Sequence, residues 1–315
     1  MAKNINKNIK VFSGNSNPAL VKKICSYLGI KEGKIDVLRF SDGEIRVKIG
    51  ENIRGKDVFI VQSTHPPAEN LLELLIMMDA AKRASARRIT AVTPYFGYAR
   101  QDKKDEPRVP ISAKLVADLI TSAGANRVLA IDLHVEQIQG FFNIPFDHLY
   151  AAPVIIEYFK HFKLKDFVVV SPDPGGVNRS RGIAKRLGNL PIAIIDKRRP
   201  EPNKSSVINI VGKVKDKNVL IVDDIIDTGG TIVGASAALK KRGAKDIYVC
   251  CTHPVLSGNA LERINKSALK TLVVTDTIPL GDKKSKKITI LSVSKLIGEA
   301  IKRIHEEKSV SSLFV

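Results

Sequence analysis

The sequence predicts two α/β domains with mainly parallel central sheets. Three observations carry this expectation. Strand-like apolar runs alternate with helix-like segments along the chain. The runs are almost continuously apolar, as in strands covered on both faces. Two of the clearest helical segments close on a glycine, a common way for a helix to end and hand the chain to the next strand. At 315 residues the chain is long enough for two ordinary domains, each with a substantial core.

Taken in order, DVFIVQ (57–62) reads as a buried strand. NLLELLIMMDAAKRAS (70–85) follows with apolar residues at helical spacing. RITAV (88–92) and RVLAID (127–132) are strands on either side of the helix ISAKLVADLITSAG (111–124), closed by Gly124. NIPFDHLYAAP (143–153) combines prolines with turn composition, which sets a boundary between domains 1–147 and 148–315, with the last helix free to pack on the first domain. The second domain opens with the strands FVVVS (167–171), PIAIID (191–196) and NVLIVDD (218–224). The helix GTIVGASAALKKRG (230–243) and the strands DIYVCC (246–251) and TLVVT (271–275) continue the alternation.

Composition excludes several classes. Apolar residues make up 44% and charged residues 26%, as in globular proteins. No apolar run approaches the roughly 20 residues of a membrane span, and MAKNINKNIK lacks the apolar region of a secretory signal. Cys25, Cys250 and Cys251 make an odd count without metal-like spacing, which reads as reduced thiols in a cytoplasmic setting. The formal charge of +19 raises nucleic acid as a partner. The cations are scattered in pairs such as Lys22-Lys23, Lys103-Lys104 and Lys286-Lys287, and aromatics are only 5%, so neither nucleic acid nor a membrane is expected.

The stretch VLIVDDIIDTGGTI (219–232) carries the most chemistry. A strand runs into Asp223 and Asp224, and Asp227-Thr228-Gly229-Gly230-Thr231 leads into a helix. Ligands of open α/β sheets bind at the carboxyl ends of strands. Backbone N–H groups at the start of a helix suit a phosphate, and glycines allow close approach. Carboxylates beside a phosphate cradle make sense when the ligand also presents hydroxyls, so a sugar phosphate fits both needs. The alternative is that Asp227 or Thr228 merely caps the helix and the acids are surface.

VDDIIDTGGT resembles the phosphoribosyl-diphosphate loop of type I phosphoribosyltransferase folds. The wider chain resembles the ribose-phosphate diphosphokinase (phosphoribosyl-diphosphate synthetase) family, class I type. The matching stretches are FSDGEIRV (40–47), DVFIVQST (57–64), ELLIMMDAAKRAS (73–85), PYFGYARQDKK (94–104), IDLH with QIQGFF (131–142), VSPDPGGVNR (170–179), IIDKRRPEPN (194–203), CCTHPVLSG (250–258) and KSVSSLF (308–314). They are long and in order, far more specific than a single glycine loop.

The resemblance implies two phosphoribosyltransferase-like domains and transfer of the β,γ-diphosphate of ATP to O1 of ribose 5-phosphate, leaving AMP. It implies that Asp223, Asp224 and Asp227 through Thr231, with Thr228, Gly229 and Gly230, hold the sugar phosphate. It implies ATP contacts from Phe40, Asp42, Gly43, Glu44, Arg100 and Gln101, although SDGE alone reads as a hairpin turn and Arg100 alone as an exposed arginine. It implies Mg²⁺ held by His134 and Asp173. A histidine is an unusual Mg²⁺ ligand, and a lone histidine more often serves structure. The loop at 173–176 resembles the family's diphosphate-binding loop.

Lys197 and Arg199 match the family's catalytic positions. KRR alone reads as a basic surface loop. With Pro200 and Pro202 behind it, the segment is expected to stay extended and open, then fold over ATP as a lid. Arg198, between the two, is expected to face the other way. The resemblance also implies a homohexamer and a regulatory interface site for phosphate or ADP. Arg54, Ser309 and Ser311 match that site, while Asn52 stands where serine is usual and Ser312 where tyrosine is usual. Two alternatives use the same loop: a phosphoribosyltransferase, which would need neither FSDGE nor KRRPEPN, and a noncatalytic regulatory subunit.

Overall fold

The computed structural model describes residues 8–198 and 207–313. The chain divides into two compact units. One comprises the residues up to Ala151, Thr277–Pro279 and the residues from Ser292 onward; the other comprises Ala152–Asp276 and Leu280–Leu291.

The first unit opens with β1 (Ile9–Ser13), α1 (Pro18–Leu28), β2 (Ile35–Arg39) and β3 (Ile45–Ile49). It continues through β4 (Asp57–Val61), α2 (Glu69–Arg83), β5 (Arg88–Thr93), α3 (Ser112–Ser122), β6 (Arg127–Ile131) and β7 (Phe146–Leu149). Five strands form an all-parallel sheet in the order β1-β4-β5-β6-β7, while β2 and β3 form a separate antiparallel hairpin. The alternation of strand side chains splits the core in two. Phe12, Val58, Ile60, Ala91, Val128 and Ala130 pack with Met77 and Met78 of α2 and Ile120 of α3. Val11, Phe59 and Leu129, on the other side, are equally buried. Continuous apolar runs are what burial on two faces requires.

The second unit contains α4 (Ala152–Phe159), β8 (Phe167–Ser171), α5 (Val177–Arg186), β9 (Ile192–Arg198), β10 (Val207–Val211) and β11 (Asn218–Ile226). It ends with α6 (Gly230–Lys241), β12 (Ile247–Pro254), α7 (Ala260–Lys266), β13 (Thr271–Thr275) and β14 (Ile288–Leu291). Its seven strands lie in the order β10-β9-β8-β11-β12-β13-β14, and only β10 runs antiparallel to its neighbour. α8 (Ser294–His305) then belongs to the first unit again.

Several strands run further than the sequence predicts, β9 and β11 among them. PIAIID was expected to end at Asp196, but β9 continues to Arg198 because β10 pairs with it, Ile208 opposite Lys197 and Val207 opposite Arg198. The backbone at 197–198 is therefore strand, where an open segment was expected. Likewise the strand expected to end at Asp224 runs on to Ile226, supported by β12 as far as Ile226 opposite Pro254. Cys250 and Cys251 are both fully buried and neither forms a disulfide, and only Cys251 joins the core cluster of the α6 side, as neighbours on opposite faces of a strand do. No helix among the described residues is long and apolar enough to cross a membrane.

Candidate active site

The second sheet reverses its winding between β8 and β11: β8 leads to β9 on one side, and β11 leads to β12 on the other. Connections leaving the carboxyl ends of these two strands diverge, and such a switch point opens a crevice. The loop after β8 is Pro172–Gly176, and the loop after β11 is Asp227-Thr228-Gly229. Both lead directly into helices, α5 and α6, whose first N–H groups favour an anion.

The acid pair sits beside that crevice. Asp224 is only 4% exposed, and its Oδ1 accepts from Arg179 Nη1 of α5 at 2.9 Å. Asp223 is half-buried, and its Oδ1 accepts from the Asp224 N–H at 2.9 Å. Burial, and next the charge of Asp224, push Asp223 up to about 8, while Arg179 pulls it down. Beneath the pair, the Cys251 thiol donates to the Asp224 carbonyl at 3.3 Å. Burial, then the two carboxyls, hold that thiol well above its ordinary pKa.

The 227–231 loop is held from outside. Ser257 Oγ donates to Asp227 Oδ1, the Ser257 N–H donates to the Asp227 carbonyl at 3.1 Å, and Arg263 Nη1 donates to the Thr228 carbonyl at 3.2 Å. The residue that caps α6 is Gly229, with φ at 74°, and no side chain caps this helix. The possibility that Asp227 or Thr228 caps it is therefore set aside. A left-handed residue brings the backbone around without a Cβ clash, which explains a glycine at this position. In the loop after β8, Asp173 is exposed; its Oδ1 accepts from Gly176 N–H at 2.9 Å and its carbonyl accepts from Ser171 Oγ at 2.6 Å.

The remaining residues singled out in the sequence lie elsewhere. Phe40, Asp42, Gly43 and Glu44 form the tip of the β2–β3 hairpin in the first unit, so the hairpin-turn reading of SDGE is structurally right. Phe40 N–H donates to Glu44 O at 2.9 Å, Glu44 N–H donates to Asp42 Oδ1 at 3.0 Å, and Gly43 takes φ of 97°. The Phe40 ring is 51% exposed, with the Arg46 guanidinium 5.8 Å from its centroid. Arg100 and Gln101 are exposed on the connection between β5 and α3, where Gln101 accepts from Ser112 Oγ at 2.5 Å and its carbonyl accepts from Ala113 N–H at 3.1 Å. His134 is exposed just after β6 in the first unit, and Asp173 belongs to the second. Among the described residues no cluster of three or more His, Cys, Asp or Glu forms a metal cage. The Lys197 side chain and all of Arg199 lie outside the described residues.

The sequence reading missed Arg179, Ser257 and Arg263. Arg179 and Ser257 fall inside the quoted stretches VSPDPGGVNR and CCTHPVLSG, yet nothing local distinguishes them from solvated polar residues. Arg263 carried no signal at all.

Comparison with known proteins gives the family. Residues 9–124 match the N-terminal domain of ribose phosphate pyrophosphokinase, and residues 199–315 match the phosphoribosyl synthetase-associated domain. Ribose-phosphate pyrophosphokinase of Oceanobacillus iheyensis is 58% identical over 308 residues, covering 97% of each chain. The Bacillus subtilis protein of that name is 57% identical over 310 residues, covering 98% of each. The crystal structure of phosphoribosylpyrophosphate synthetase from Mycobacterium smegmatis superposes with a TM-score of 0.91 at 42% identity, over 96% of this chain and 100% of that one. A family shared over the full length, with the acid pair and glycine-opened helix at the sheet's switch point, leaves one conclusion: the chain belongs to the ribose-phosphate pyrophosphokinase family.

Proposed function

We propose that this chain transfers the β,γ-diphosphate of ATP to O1 of ribose 5-phosphate, yielding AMP and 5-phosphoribosyl 1-diphosphate for nucleotide biosynthesis. The observation that carries the reading is the switch point of the second sheet, where two carboxyls and the glycine-capped start of α6 stand together. Asp223 and Asp224 would take the ribose hydroxyls. The N–H groups and hydroxyls of Asp227 through Thr231 would take the 5-phosphate. The exposed Phe40 ring offers a face for adenine, with Asp42 and Glu44 as acceptors and Arg100 and Gln101 toward the polyphosphate.

Asp173 offers an exposed carboxylate, a hard oxygen donor of the kind Mg²⁺ takes. By the resemblance, Asp173 and His134 would hold the ion, with nucleotide oxygens and water completing its shell. Bound there, Mg²⁺ would neutralise charge on the phosphoryl chain. Lys197, near the end of β9, and Arg199 would supply cations to the transferring group. Phosphoryl transfer gains mostly from positioning and charge neutralisation, so no strong general base is required. The protein would work in the cytoplasm as a homohexamer. Its response to phosphate and ADP would be present but weakened, because Asn52 and Ser312 alter the anion contacts. A steep phosphate dependence with strong ADP inhibition that ribose 5-phosphate does not relieve would contradict that last point.

The direct test incubates purified protein with ribose 5-phosphate, ATP and Mg²⁺ and measures AMP. AMP formation that requires the sugar phosphate is the expected result. Its absence, or consumption of phosphoribosyl diphosphate with a free nucleobase, would assign the chain to a regulatory subunit or a phosphoribosyltransferase.

A further inference from the structure

Two neighbouring carboxyls withdrawn from water cannot both be ionised at low cost, so the pair at 223–224 holds one proton over a range of pH. Adjacency alone leaves open which residue carries it. Arg179 breaks the symmetry. Its guanidinium lies 2.9 Å from Oδ1 of Asp224, the more buried of the two, and no comparable contact reaches Asp223 among the described residues. Arg179 from α5 and Cys251 from β12 both reach the pair, and the thiol stays protonated. α5 packs on both β8 and β11, so the arginine is carried by a fixed element.

We propose that Arg179 is the positioning residue of the sugar site: it holds Asp224 as the carboxylate in one orientation and thereby leaves the shared proton on Asp223. A vicinal diol then meets one acceptor and one donor. One hydroxyl donates to Asp224, and the oxygen of the other accepts from Asp223. The inference rests on the reading that this pair receives the ribose hydroxyls. The raised pKa of Asp223, about 8, agrees with a proton that stays in place at neutral pH.

The test is calorimetric binding of ribose 5-phosphate without ATP, across the pH range on either side of about 8. The sugar's phosphate, with its second pKa near 6, is fully ionised on that limb and does not interfere. Wild-type affinity falls as pH rises through about 8. Arg179→Gln weakens binding about tenfold at neutral pH and moves the midpoint upward, because a cation that lowered the pKa is gone. Arg179→Lys keeps the charge and holds the midpoint near the wild-type position. At saturating sugar, kcat changes far less than KM in both variants.

An Arg179→Gln variant with weaker binding but an unmoved midpoint overturns the proposal, since mere loss of packing does that. Wild-type affinity that rises through about pH 8 overturns it too, because the pair would then work as two carboxylates. Should Arg179→Gln not fold, Arg179→Gln with Asp224→Asn removes the buried charge together with its partner. Its midpoint must fall below that of the wild type, and a midpoint that stays put overturns the proposal. Asp224→Asn alone separates the two levels: wild-type sugar affinity in that variant sinks the placement of the ribose itself.

Discussion

Asp223 and Asp224 are neighbours in the chain, yet the fold surrounds them differently. Asp224 lies against Arg179, while burial and the Asp224 charge push Asp223 up to about 8. Asp224→Ala is expected to lower kcat/KM for ribose 5-phosphate about ten- to hundredfold with the fold intact, the worth of a charged hydrogen bond of about 1.5–3 kcal/mol. Steady-state kinetics at varied sugar concentration check this, and a wild-type value would remove the ribose from this position. Asp223 gives a stability prediction. Its folded pKa lies above the unfolded value of 3.8, so its contribution to stability is fully present below 3.8 and is lost as pH rises through about 8. Asp223→Asn mimics the protonated acid. The ligand-free variant should melt above the wild type, by a margin that widens from about pH 4 to about pH 8 and then levels off. Thermal melts across that range decide it, and a margin that shrinks with pH would contradict the assignment.

At the scale of elements, the strands were legible wherever burial on two faces made the run apolar, as in FVVVS, which forms β8 residue for residue. α2, α3 and α6 were legible from their spacing, each to within two or three residues at its ends. α5 was not legible: in VNRSRGIAKR only Ser180, Ile183 and Ala184 are buried, too few to mark a face. β10 escaped for another reason. It pairs with a single neighbour at the edge of the sheet, and its recognition depends on β9 being there. That hairpin also bears on the proposed lid. The Lys197 backbone is in strand, paired with Ile208. Lys197→Ala and Arg199→Ala should each lower kcat by about a hundredfold or more, with modest changes in substrate KM, as the loss of one preorganised donor does. Arg198→Ala should stay within about tenfold of wild type. Equal damage at all three positions would point to bulk charge, and an undamaged Lys197 variant would take this hairpin out of the mechanism.

At the scale of the whole molecule, the last helix belongs with the first sheet. α8 carries apolar residues at Leu296, Ile297, Ala300, Ile301 and Ile304, a helical stripe that is buried within the first unit. One fully buried acid anchors it: Asp57 on β4 accepts from His305 Nδ1 at 2.9 Å and from Arg88 Nε at 2.9 Å, while Arg88 Nη2 donates to the Ile304 carbonyl at 2.9 Å. Burial alone would raise the Asp57 pKa, but the hydrogen bonds and charges of His305 and Arg88 outweigh it and hold the carboxyl below 3.8. Its stabilisation is therefore present above 3.8 and is lost as pH falls through the lowered folded value. Asp57→Asn should cost on the order of 3 kcal/mol near neutrality, as breaking a buried pair does, and the difference from wild type should narrow in acid. Melting curves at neutral and acidic pH test this; a constant difference would mean that packing, not charge, holds the helix. The sequence by itself determined the α/β class, the strand–helix alternation and the acid-and-glycine chemistry of VDDIIDTGGT, because each depends on residues adjacent in the chain. Only the tertiary structure decided that Arg179 faces Asp224 from 45 residues away, that Ser257 holds Asp227, and that Asp57, Arg88 and His305 meet to anchor α8. Those partners are set by the order of strands in the sheets, and a local pattern of apolar and polar residues is the same whichever neighbour a strand acquires.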